Sequence, residues 1–305
     1  MERFAHHLDK MVNTSHKSRK LALRAVPILA GLCLLTACIT KGQIKSDRER
    51  DDLSGSVHVI RTEKTFLLGD KALDQKTEIS EITYNEKGNK AEETKSKGDG
   101  SLVNRSVFDY DTGGSLTAVT VYSADGSVHL KKTYKYVNRA EGRTIEESVH
   151  KGGSTLLTKA VISHDDKGRV KDFSAFNADG KPTTRQVVIY NANGKQAEID
   201  YFQDSSSQMG KTLFIYDTQG KLTERQDIGA DGSQSGRTVF SGDIERGADF
   251  TITEYDSKGS SVSTEHFVRE FDPHGNWTKE TKSKLNMQSG RMEPVEVTHR
   301  QITYY

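Results

Sequence analysis

Apolar residues along this chain alternate with polar ones in short runs. Each run ends on an aromatic residue followed by Asp or Asn and, three residues later, Gly. The pattern reads Tyr84-Asn85 to Gly88, Tyr110-Asp111 to Gly114, Tyr190-Asn191 to Gly194 and Tyr216-Asp217 to Gly220. Tyr255-Asp256 to Gly259 and Phe271-Asp272 to Gly275 repeat it, His164-Asp165 to Gly168 carries His in the aromatic place, and Tyr136 to Gly142 has a longer turn. The starts at 84, 110, 136, 164, 190 and 216 are 26 or 28 residues apart. A second turn lies between them, at Ala124-Asp125-Gly126, Ala178-Asp179-Gly180 and Ala230-Asp231-Gly232. Tyr122 and Phe176 lie 12 residues after their preceding primary position. The unit is a strand plus a turn, and two units make each repeat.

Asp and Asn hydrogen-bond the backbone two residues on, and Gly accepts positive φ, so these are turn signals. Between them Arg185–Tyr190, Lys211–Tyr216 and Ser115–Tyr122 alternate as strands do. Few windows show a helical period, and four prolines suit a ladder that needs its N–H groups. The spacing predicts an all-β, antiparallel meander of hairpins, some 16–18 strands forming a long twisted or curled sheet. Period-2 counting puts Phe108 with Tyr110, Val188 with Tyr190 and Phe214 with Tyr216 on one face. Val107, Val187 with Ile189, and Leu213 with Ile215 fall on the other. Leu116, Val170, Leu222 and Trp277, each two positions past a turn Gly, are placed to pack back on the preceding strand. The 39-residue step from Tyr216 to Tyr255 suggests an extra strand pair.

The N-terminus follows a different rule. Residues 17–24 are basic, residues 25–37 form an apolar run of 13, and Cys38 follows. The run is shorter than the ~20 residues that span a bilayer, and reads as a signal segment. Met11 would serve as an alternative start. Leu35-Thr36-Ala37-Cys38 resembles the lipobox of bacterial lipoproteins. That resemblance implies cleavage before Cys38, lipid on its thiol and a membrane contact through that lipid. Ile39 rather than Asp after it resembles export to the outer membrane. Residues 1–37 are then the signal, 38–56 the lipidated Cys and a charged tether, and 57–305 the β domain. Cut there, the mature chain has no second Cys and so no disulfide.

Composition narrows the function. Hydrophobic residues make up 33%, thin for a thick-core enzyme, yet 11 Tyr and 11 Phe argue against disorder. The chain holds 44 basic and 43 acidic residues, and the first 37 positions take six of the former and two of the latter. The rest is near −3, 38 basic against 41 acidic, which offers no basic field for nucleic acid.

The motif aromatic-Asp-x-x-Gly-x-Leu followed by Ala-Asp-Gly resembles the YD repeats of bacterial Rhs and wall-associated proteins. Tyr110 to Leu116 and Tyr216 to Leu222 are the best matches, and the resemblance spans roughly residues 80–305. Large members enclose a toxin in a spiral shell; about 220 residues cannot. The resemblance implies a cell-envelope repeat protein, with an accessory or immunity role in a toxin system as one alternative.

Catalytic chemistry is sparse. The ten His are scattered, no HExxH, GxSxG, P-loop or GxGxxG occurs, and no close ligand pairs mark a zinc site. The Asp-Gly turns are too short for an EF-type calcium loop. An envelope hydrolase would need clustered carboxylates, but the motif Asp recurs in most repeats, as a turn requires. No catalytic residue, metal or cofactor is expected. Trp277, the only Trp, and Tyr201, next to Phe202, are the candidates for stacking a glycan or a partner side chain. The sequence thus predicts a lipid-anchored binding or scaffolding module of the bacterial envelope, facing the periplasm or the surface, its partner an envelope protein or a glycan.

Overall fold

The computed structural model describes residues 45–68, 71–139 and 142–305. The signal segment and Cys38 lie outside them. A four-residue helix, α1 (Asp47–Arg50), precedes 18 strands. They are β1 (Val57–Leu68), β2 (Lys71–Tyr84), β3 (Lys90–Lys97), β4 (Leu102–Tyr110), β5 (Leu116–Ser123), β6 (Val128–Arg139), β7 (Gly142–Lys151), β8 (Thr155–His164) and β9 (Val170–Asn177). They continue as β10 (Pro182–Tyr190), β11 (Gln196–Gln203), β12 (Ser207–Tyr216), β13 (Leu222–Gly229), β14 (Gln234–Gly242), β15 (Asp249–Asp256), β16 (Ser261–Phe271), β17 (Trp277–Asn286) and β18 (Arg291–Tyr304).

Every strand pairs antiparallel with its chain neighbours, and β1 pairs with both β2 and β18. The expected meander is therefore not an open sheet but a closed ring. Closure removes both edge strands, which an open sheet would leave as unpaired N–H and C=O groups. At ~4.8 Å per strand the ring is about 86 Å around, and rings of this strand number do not fill with side chains.

Every primary motif but the one at Tyr255 makes one hairpin at the same rim, here the near rim. In the hairpin after β4, Gly114 N–H donates to Asp111 O at 3.0 Å with Gly114 at φ 82°, and Ser115 N–H donates to Asp111 Oδ1 at 2.8 Å. An L side chain is strained at that φ, which fixes Gly there. The register then slips by one residue. Asp109 pairs Ala118 but Tyr110 pairs Leu116, and the same slip follows Tyr84, His164, Tyr190, Tyr216 and Phe271. A bulge of this kind turns the residue after the hairpin onto the face of the aromatic. Leu116, Val170 and Trp277 are accordingly buried, and Leu222 packs against a buried cluster.

The slip also sets the face of the mid-repeat aromatics. Tyr122 and Phe176 lie an even number of residues after Tyr110 and His164, which in an unbroken strand would put them on the same face. One bulge reverses the phase, so they point outward while the near-rim aromatics point inward. The step from Tyr216 to Tyr255 holds three strands, β13 to β15, not four. The odd number places Tyr255 at the far rim, and Asp243 makes the near-rim turn that lacks an aromatic, its Oδ1 accepting from the N–H groups of Glu245 and Arg246.

Inward residues are the buried ones. Ile145, Ile162, Phe173, Val188 and Ile199 form one cluster across β7 to β11, Phe240, Phe250, Ile252 and Phe267 a second, and Val57, Ile60 and Tyr84 a third. Each is confined to neighbouring strands, so packing runs around the wall. Between the clusters the inner face carries ion pairs: Lys282–Glu265 (2.7 Å), Arg269–Glu280 (2.7 Å), Arg225–Asp227 (3.1 Å) and Lys64–Glu296 (3.6 Å). Tyr136 OH donates to Leu116 O and Tyr190 OH to Val170 O, both at 2.7 Å, tying each inward tyrosine to the bulged residue of the hairpin before it.

His164 occupies the same wall position, 1% exposed, with Nδ1 3.2 Å from Arg143 O. A carbonyl can only accept, so Nδ1 carries the proton. Burial holds the imidazole pKa below its ordinary value. The neutral form is thus favoured in the fold, and its stability contribution is complete above the unfolded-state pKa near 6.5 and is lost as pH falls toward the folded value. We expect His164→Tyr, which restores the repeat residue, to fold and to show a smaller loss of Tm between pH 7.5 and pH 5 than the parent. Equal acid sensitivity in the two proteins would remove His164 as the cause.

The stretch expected to be tether is in part folded. Residues 46–56 lie against the near rim, with a capping box in which Ser46 and Glu49 bond reciprocally.

Candidate binding surface

The outer wall is built from charged and aromatic residues in register. Arg105 pairs Tyr122, Lys159 pairs Phe176, Arg185 pairs Phe202, Lys211 pairs Ile228 and Arg237 pairs Tyr255. Thirteen residues before each cation stands an acid: Glu92, Glu146, Asp172, Glu198 and Glu224. Five stripes of acid, cation and apolar ring or branch therefore run across the strands on the far-rim half of the wall.

Four stripes close as ion pairs: Arg185–Asp172 at 2.6 Å, Arg105–Glu92 at 3.1 Å, Lys211–Glu198 at 3.3 Å and Arg237–Glu224 at 3.9 Å. Three close again on the ring. The guanidinium carbon lies 4.4 Å from the Tyr255 centroid for Arg237, 5.0 Å from Tyr122 for Arg105 and 5.7 Å from Phe202 for Arg185. These are cation–π distances. Each cation is held from both sides, so its planar donors are fixed before a partner arrives. Tyr122, Phe176, Phe202 and Tyr255 are half-buried, leaving ring surface exposed.

Between two stripes, Asp200 lies near Glu198, and Gln208 Nε2 donates to Asp200 Oδ1 at 3.4 Å. Burial, and then the charge of Glu198, raise the Asp200 pKa. A shallow cavity of 280 Å³, lined in part by Glu146, Ser148, Lys159, Val161, Phe176 and Gly180, opens on the second stripe. Apolar side chains flank the stripes toward the far rim: Val103, Leu157, Met209 and Val262 are 38–56% exposed.

The two stacking candidates from the sequence stand elsewhere. Trp277 is buried at the near rim, with the Arg300 guanidinium 3.5 Å from its ring centroid. Tyr201 points inward and packs against the first cluster. Its neighbour Phe202 is the one on the outer wall. The missed residues had a readable signal in the spacing, acid to cation 13 and cation to ring 17, with 18 for Tyr255. Among the described residues no group of three or more His, Cys, Asp or Glu is placed to hold a metal ion.

Among the described residues no helix is long and apolar enough to cross a membrane, which leaves strands to be judged separately. A lipid-facing barrel needs an outward apolar band, and an outward Arg or Lys at mid-bilayer costs about 2–4 kcal/mol. Here Arg61, Glu81, Arg105, Glu146, Arg185, Lys211, Arg237 and Lys279 all occupy outward positions. The outer wall thus carries charged side chains on many of its strands.

No protein-family model matches the chain, and no curated protein does. Among solved structures it is similar to a porin-like protein from Bacteroides uniformis, at 11% identity and a TM-score of 0.46, covering 82% of this chain and 98% of that one. A porin-like protein from Bacteroides vulgatus gives 12% identity and 0.23, covering 83% and 99%. A TcdB2-TccC3-Cdc42 complex gives 11% and 0.24, covering 76% of this chain and 16% of that one. At these scores neither a fold nor an activity carries over, and the architecture rests on the strand pairing itself.

Proposed function

We propose that this chain is a lipid-tethered, water-immersed β-barrel of a bacterial cell envelope, a binding or scaffolding module whose contact surface is the striped outer wall. The stripes carry this reading: side chains that need no such order for stability are repeated five times at one height. Cross-strand pairs contribute only ~0.2–1 kcal/mol each, whereas Tyr, Phe, Met and Arg are the residues enriched at protein interfaces. The partner is an envelope protein or a glycan. Because each stripe sets an acid against its cation and four of the five close as ion pairs, the stripes offer little uncompensated positive field to a nucleic acid.

The tether places the surface. Residues 39–45 reach at most about 25 Å from Cys38, and Lys45 leads into the near rim. The near rim is then held at the membrane and the striped half faces away from it.

We expect Arg185→Ala with Phe202→Ala to abolish capture of the envelope ligand that the parent retains, with Tm within about 5 °C of the parent. The checks are pull-down from envelope extract, a glycan array and thermal melts. Unchanged capture by the double variant would remove the stripes from the contact surface. Cys38→Ala should move the protein from the membrane to the soluble fraction; retention in the membrane would overturn the lipid anchor.

A further inference from the structure

Residues 46–56 precede the strand register that closes the ring, which begins at Val57; they meet it through Ser56 O, which accepts from the Tyr305 N–H at 2.9 Å, and through Leu53, which packs on the Val57, Ile60 and Tyr84 cluster. They cross the near rim above the β18–β1 seam. On one side Arg48 N–H donates to Gly88 O at 2.8 Å, and Asp47 accepts from the Lys90 N–H at 2.9 Å and from Tyr110 OH. Asp51 accepts from Tyr84 OH and pairs with Lys90 Nζ at 3.2 Å. On the other side the Arg246 fork holds Asp52 at 2.7 and 3.2 Å. Ser54 N–H donates to Asn276 Oδ1 at 2.8 Å, and Asn276 Nδ2 returns a bond to Ser54 O at 2.9 Å. The segment therefore grips β2 to β4 and the loops after β14 and β16, with β17, β18 and β1 between them.

We infer that residues 46–56 are a releasable clasp: load on the chain ahead of Lys45 peels them from the rim while β1 stays paired on both sides. Two features separate the clasp from the ring. α1 spans four residues, too few to persist once its rim contacts go. Its attachments stand one after another along the segment, so a pull from the N-terminal end loads them singly. In β1 the bonds to β2 and β18 flank one strand on both edges, and displacing it requires breaking two ladders.

Release changes what the rim offers. The hydroxyls of Tyr84 and Tyr110, the ammonium of Lys90 and the guanidinium of Arg246 lose, one after another, the carboxylates of Asp47, Asp51 and Asp52. Beside them lies a depression of 530 Å³ lined by Asn85, Glu86, Lys87, Asn89, Tyr110, Asp111 and Gly114. This inference rests on the fold and not on the envelope reading, so failure of the lipid anchor leaves it standing.

Hydrogen exchange on the full chain, followed by mass spectrometry at increasing urea, tests it. The amides of Arg48, Arg50 and Asp51 should exchange at least about 10-fold faster than those of Ile60 and Thr62, in a step with little urea dependence, as local opening exposes little surface. Asp52→Ala should speed the clasp amides several-fold further and leave β1 unchanged. Exchange of clasp and β1 in one urea-dependent step would overturn the inference. So would equal acceleration of both by Asp52→Ala, because either result makes residues 46–56 part of the ring's cooperative unit.

Discussion

Ile60→Asp should unfold the protein or remove at least about 4 kcal/mol of its stability. Ile60 is 4% exposed and sits between Ile82 on β2 and Ile302 on β18, in the cluster with Val57 and Tyr84. Removing a buried Ile side chain costs about 2–5 kcal/mol through lost burial and the space left behind. A carboxylate put there without a partner adds several more, or takes up a proton to avoid it. Total stabilities of about 5–15 kcal/mol leave little after such a loss. The neighbouring outward change Arg61→Ala breaks only partly exposed pairs with Glu63 and Glu81 and should cost less than about 1 kcal/mol. Urea titrations read by the fluorescence of Trp277, the only Trp, give both values. A small loss at Ile60 would mean that the seam is not packed as described.

Phe173→Ala should cost about 3–5 kcal/mol, the range for deleting a buried aromatic ring. Phe173 is 3% exposed and packs with Ile162 and Val188 in the largest cluster. Phe202→Ala, on the outer wall, should cost about 1 kcal/mol, since its ring is half solvated and its cross-strand partner is Arg185. The ratio matters more than either value. Similar losses at the two positions would mean that the inner and outer faces have been misassigned.

The comparison of these phenylalanines also locates what could be read in the sequence. Turn chemistry repeats locally, so the Asp and Asn-Gly motifs marked the hairpins, and the count of 16–18 strands brackets the 18 found. Faces within one strand followed from alternation, as for Val187 and Val188. Across a turn the alternation failed, because a bulge adds a residue that leaves no mark in composition. That is why Tyr122 and Phe176 face outward, and why Tyr201 could not be told from Phe202 as the outward residue. Trp277 had two readings in the sequence, a stacking platform and a packing position two residues past a turn Gly, and its burial agrees with the second.

Ring closure had no local signal at all. It depends on Val57–Leu68 meeting Arg291–Tyr304, two segments without the aromatic-Asp-Gly motif at opposite ends of the chain. The clasp was more accessible. Ser46 followed by Glu49 is a capping-box pair, which a charged, solvated tether would not need. The outer stripes were also present in the spacing of 13 and 17, and went unseen because acids and bases this common are ordinarily taken for a solvated surface.

The central claim is that the chain closes on itself. Glu63 and His299 are directly paired across the β1–β18 seam, both on the outer wall. Paired strand positions lie within the Cα separation a disulfide accepts, about 4.4–6.8 Å. In a chain with Cys33 and Cys38 changed to Ser, Glu63→Cys with His299→Cys should form an intramolecular disulfide under mild oxidation, seen as a reversible gel shift of the monomer. Failure to cross-link, or cross-linking only between molecules, would contradict the closed ring.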